Sequence, residues 1–119
     1  MAAANYDILI EQGATFLLHI TYKDSLGVPI NLTGFTARMQ VRKKYSDTNA
    51  LLTLTTETGE ITLGGAAGTV DLAAPATATE DVTVQCGVYD LELRNAAGVV
   101  TRLLQGNVTI SPEVTKVGL

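Results

Sequence analysis

Eight consecutive residues constrain this chain more than any other stretch. Phe35, Ala37, Met39 and Val41 alternate with Thr36, Arg38, Gln40 and Arg42 without a break. A helix would scatter these two sets around its circumference, whereas a strand puts each set on one side. The stretch therefore reads as a strand with a dry face and a wet face. Its lead-in, Lys23–Gly34, is dense in turn chemistry. Asp24-Ser-Leu-Gly27 opens with an acid and closes with a glycine, Pro29 cannot donate to a ladder, and Asn31-Leu-Thr-Gly34 turns the chain again.

The same period recurs along the chain. Ile8 and Ile10 alternate in Asp7–Glu11, and Phe16, Leu18, Ile20 and Tyr22 alternate in Ala14–Lys23. Tyr89, Leu91 and Leu93 alternate in Val84–Arg94. Shorter strands are expected at Ala50–Thr56, Glu60–Leu63 and Thr69–Leu72, and a last long one at Val99–Ile110. In that last strand the phase of Val108 and Ile110 shifts against Leu103, which predicts a bulge near Gly106. Ala73–Asp81, with Pro75, is the one plausible helix and is too short to be more than a turn across the end of a sheet. About eight short strands with turn signals at regular spacing predict an all-β fold. The expected architecture is an immunoglobulin-like antiparallel β-sandwich of seven or eight strands, with at most one helical turn near 74–81. One domain over 7–112 would lie between tails at 1–6 and 113–119. Gly87-Val-Tyr89 opens a late strand, and Tyr89 reads as a plain core tyrosine; the tyrosine corner of immunoglobulin-like sandwiches is the alternative.

Chemistry is sparse. The 119 residues carry a net charge of −4, which disfavours nucleic acid as a partner. The single His19 sits at an outward strand position between Leu17 and Thr21, and the single Cys86 reads as a small packing residue. One histidine and one cysteine cannot assemble the usual zinc ligand set. Gly64-Gly-Ala-Ala-Gly68 lacks the following Lys-Ser/Thr of a phosphate loop. No apolar run approaches bilayer-spanning length, and the N-terminus lacks the pattern of a signal peptide. The expectation is a non-enzymatic protein without cofactors, made in a cytoplasm and not inserted in a membrane. What remains is a basic cluster, Arg42-Lys43-Lys44, beside Arg38 and Gln40. Apolar residues also fall on wet faces: Leu9, Leu17, Val88 and Leu103. Arg38, Gln40, Arg42, Lys43, Lys44, Leu9, Leu17 and His19 are the candidate partner-docking residues.

The run Asp24-Ser-Leu-Gly-Val-Pro-Ile-Asn-Leu-Thr-Gly-Phe-Thr-Ala-Arg-Met-Gln-Val-Arg42 resembles a pattern of small structural proteins coded with the tail genes of tailed bacteriophages. Ile10–Phe16, Leu52–Gly59, Gly64–Val70, Val88–Leu93, Arg102–Gly106 and Ser111–Val114 look like the same group. A looser likeness links the chain to the N-terminal sandwich domain of phage upper baseplate proteins, without the extension that follows it there. The resemblance implies a virion protein of the tail or baseplate region. It would be a multi-copy docking or adaptor module whose partners are other phage structural proteins, in a symmetric assembly. Its motifs are scaffold motifs and carry over no catalytic residue. The alternatives are a head decoration, head-fibre base or neck protein, and, in another class, a carbohydrate-binding module that touches the host. The absence of Trp and the scarcity of aromatics weigh against the last.

Overall fold

A computed structural model describes residues 3–114. Nine strands form two sheets packed face to face: β1 (Ala4–Asn5), β2 (Ile8–Glu11), β3 (Phe16–Thr21), β4 (Thr36–Arg42), β5 (Leu52–Thr55), β6 (Ile61–Leu63), β7 (Thr69–Ala74), β8 (Cys86–Arg94) and β9 (Val100–Ser111). The larger sheet runs β1-β9-β8-β4-β5, with β2 also on β9, and the smaller runs β3-β7-β6. This is the immunoglobulin-like order, with the chain crossing between the sheets after β2, β3, β5 and β7. The strand count exceeds the expected seven or eight because the N-terminal strand is split in two. The larger sheet is also not wholly antiparallel, since β1 and β2 both run parallel to β9.

The alternation of the opening stretch survives intact. Ala37, Met39 and Val41 are buried, while Arg38, Gln40 and Arg42 point outward. Met39 pairs with Leu54 on one side and Leu91 on the other, so this row crosses the centre of the core. The inward sets of β2, β7 and β8 complete that core, among them Ile10, Val70, Leu72, Tyr89, Leu91 and Leu93. It is almost entirely aliphatic, and emptying a site such as Met39 costs about 2–5 kcal/mol.

Turn residues act as their chemistry demands. Asp24 Oδ1 accepts from the backbone N–H groups of Leu26 and Val28 at 2.9 and 3.0 Å, and Gly27 takes a positive φ of 81°. Asn31 Oδ1 accepts from Thr33 N–H at 3.0 Å. Between these turns Leu32 is buried and its amide donates to Gly65 O at 2.9 Å, which anchors the whole connection. Gly65–Ala67 is a 3-10 turn, a second helical turn beyond the one expected. The expected one is α1 (Ala76–Thr79), which crosses the opposite pole. Thr79 is fully buried. Its hydroxyl donates to Ala14 O at 2.7 Å and accepts from Gly13 N–H at 3.2 Å, locking α1 onto the β2–β3 turn.

Several expectations are corrected. The bulge in β9 falls at Leu103, where Leu91 pairs with Leu104 and Glu92 with Arg102. Leu103 accordingly packs against the core and does not sit on a wet face. Cys86 is exposed at the start of β8, so it is not a packing residue. Residues 4–6 are no loose tail. Ala4 and Asn5 pair with Leu104 and Gln105, and Tyr6 N–H donates to Gln105 O at 2.9 Å. Of the C-terminal tail, Glu113 N–H donates to Gln12 Oε1 at 3.0 Å, and 115–119 lie outside the described residues. Tyr89 is a core tyrosine but no tyrosine corner. Its hydroxyl reaches the N-terminal strand and not the β7–β8 crossing.

Candidate docking face

The outward face of the larger sheet gathers most of the polar residues singled out in the sequence. Antiparallel register places them in rows across β4, β8 and β9. Arg38, Glu92 and Arg102 form one row. Gln40, Asp90 and Gln105 form the next, extended by Asn5 of β1. Arg42, Val88 and Asn107 form the third. The second and third rows floor a shallow groove of about 740 Å³, rimmed by Tyr45 and Asp7.

The groove is already cross-linked. Arg42 Nη2 donates to Gln40 Oε1 and Arg42 Nη1 to Asp47 O, each at 2.8 Å. Arg102 Nε lies 3.6 Å from Asp90 Oδ2, and its Nη1 donates to Gln105 Oε1 at 3.2 Å. Asp7 Oδ1 accepts from Asn107 N–H at 2.9 Å. Two arginines and two aspartates balance one another within it. Such a face offers a fixed array of donors and acceptors at little cost in side-chain ordering on binding.

The candidate residues do not form one site. Arg42 is engaged in holding the loop 43–49, so its guanidinium is less free than a surface arginine. Arg38 is exposed, opposite Glu92, and forms no ion pair among the described residues. Its charge helps hold the Glu57 carboxyl below the usual range, after the Thr56 hydroxyl and the Glu57 backbone. Lys43 and Lys44 are exposed just past the end of β4. Leu9, 55% exposed, lies on the same face, in a row with Thr109 and Cys86. Leu17 and His19 lie elsewhere, on the outward face of the smaller sheet, where His19 Nδ1 pairs with Asp71 Oδ1. The apolar residues on wet faces therefore make no single patch.

Sequence reasoning missed Tyr45, Asp90, Arg102 and Gln105. The last three were readable only as outward positions of their strands. What joins them to Gln40 and Arg42 is the strand order, which no local pattern carries. Among the described residues no three or more His, Cys, Asp or Glu side chains come together to hold a metal ion. No described helix is long and apolar enough to cross a membrane. A comparison with protein-family models and with curated proteins finds no match.

Proposed function

We propose that this protein is a structural component of the virion of a tailed bacteriophage, in the tail or baseplate region. It acts in several copies as a docking module, joining larger tail parts through protein–protein contacts. The observation that carries the docking role is the cross-linked polar face of the larger sheet. It is concave, locally charge-balanced and built on strands, as a preorganised recognition surface should be. The phage context rests on the resemblance of Asp24–Arg42 and the further stretches that accompany it. Arg38 on this face, with Lys43 and Lys44 just past the end of β4, is an exposed cation free to meet an acidic partner.

Peptide mass spectrometry of gradient-purified particles tests this. The reading expects the chain among the virion proteins at more than one copy per particle. Particles without it would end the proposal.

A further inference from the structure

The N-terminal strand pairs with β9 of the larger sheet, and among the described residues this leaves β3 as an open edge of the smaller one. The direction of its unused backbone groups follows from its neighbours. Tyr22 N–H donates to Gly68 O, so the even-numbered residues of this strand face β7. Ala73 N–H donates to Glu60 O, which assigns the odd positions of β7 to β6 and agrees with that phase. The N–H and C=O groups of Leu17, His19 and Thr21 therefore point out of the sheet.

Exposed edges are normally blunted by shortness, lysine, proline or a bulge. The other three edges are: β5 has four residues, β6 has three, and β1–β2 is broken at Tyr6–Asp7. The six residues of β3, Phe-Leu-Leu-His-Ile-Thr, contain no such device. Leu17 is 71% exposed upon it. Beside this edge the two sheets part, leaving a cleft of about 310 Å³. Ile20 and Tyr22 line it from one sheet, and Ala4, Leu103 and Leu104 from the other. Leu18, Ile20 and Tyr22 are only half-buried as a result.

We infer that the β3 edge is a homodimer interface, in which two copies pair β3 with β3 antiparallel about a twofold axis at His19. The strand is complementary to itself in this register. The outward-pointing groups of His19 face those of His19 of the partner subunit, and Leu17 faces Thr21 of the partner subunit. This closes about six backbone hydrogen bonds. On the core side Leu18 meets Ile20 of the partner subunit, and Phe16 meets Tyr22 of the partner subunit, so every inner pair is apolar. Lys23 and Asp24 meet Thr15 and Ala14 of the partner subunit, so no like charges oppose there. The joined sheet would run β6-β7-β3 through the axis into its copy, and the interface is isologous and closed. The inference concerns the sandwich itself and does not depend on where the protein serves.

Sedimentation velocity up to about 0.5 mM, a range that detects even weak self-association, tests it on the full chain. The wild type should show a concentration-dependent dimer. Leu17→Lys, an exposed change that blunts the edge, should weaken it at least tenfold. A second variant, His19→Cys in a Cys86→Ser background, should give a disulfide-linked dimer on mild oxidation. The paired Cα atoms would then stand about 5.5 Å apart, within disulfide range. A wild type that stays monomeric throughout, or a dimer unaffected by Leu17→Lys, overturns the inference. So does a thiol at position 19 that fails to cross-link.

Discussion

The Tyr89 hydroxyl donates a 2.5 Å hydrogen bond to the carbonyl of Tyr6. One residue is in the middle of a core strand, and the other is in the break between β1 and β2. The contact clamps the N-terminal strand onto the sheet that carries the candidate docking face. Burial comes first, with Tyr6 and Asp7 adding to it, and together they push the Tyr89 phenol from 10.0 to about 12. The folded protein thus keeps a proton that the unfolded chain releases. The associated stability is complete below about pH 10 and is lost as pH rises from there through the folded value. Tyr89→Phe should lower stability by about 1 kcal/mol at neutral pH. It should also flatten the decline seen between pH 10 and 12. Urea denaturation of both proteins across pH 7–12 measures it; equal slopes in the alkaline range would refute the assignment.

Gly106 makes the same crossing possible. A side chain there would collide with the Tyr6 carbonyl and approach Asp7 Oδ1 to 2.9 Å. Gly106→Ala should therefore release residues 4–7 from β9 while leaving the core standing. Hydrogen exchange should report faster exchange of the Tyr6 and Asn107 amides, with Leu91 and Met39 still protected. Unchanged exchange at Tyr6 would show that the crossing has room to give.

Thr79 is the buried polar group at the far pole. Thr79→Val keeps its shape but leaves Gly13 N–H and Ala14 O without their partner. A loss of about 1–3 kcal/mol is expected, read by thermal or urea denaturation. A neutral result would mean that water replaces the hydroxyl.

Much of this fold was legible because burial imposes a period of two on each strand. Phe35–Arg42, Ile8–Ile10 and Tyr89–Leu93 carried their faces in plain alternation. The N-terminal Ala4–Asn5 strand was not legible. Ala-Ala-Ala-Asn has no alternation, and the strand exists because β9 offers an edge and Tyr89 a clamp. Leu32 is hidden for a related reason, as it is a core residue placed inside a run of turn formers. The candidate face was half legible. Arg38, Gln40 and Arg42 were visible as one wet side, but Asp90, Arg102 and Gln105 join them only through the sheet order. The engagement of Arg42 with Asp47 O and Gln40 likewise depends on how the loop 43–49 folds back.

That engagement separates two substitutions that the sequence treats alike. Arg38→Ser should change stability by less than about 0.5 kcal/mol. Arg42→Ser should in addition loosen the loop 43–49, seen as faster amide exchange and proteolysis there. Both should weaken incorporation into particles, with Arg38→Ser the cleaner probe. Loss of folding in Arg38→Ser would mean that the faces of β4 are assigned wrongly.

The docking proposed for the outward face of the larger sheet requires contact with another virion protein. Lys43 and Lys44 stand at its margin and are exposed to amine-reactive reagents. Cross-linking mass spectrometry of purified particles detects that contact. Cross-links from Lys43 or Lys44 to a different structural protein of the tail or baseplate are expected. Particles that contain the chain but yield links from these lysines only to a capsid protein, or only to its own copies, would contradict it.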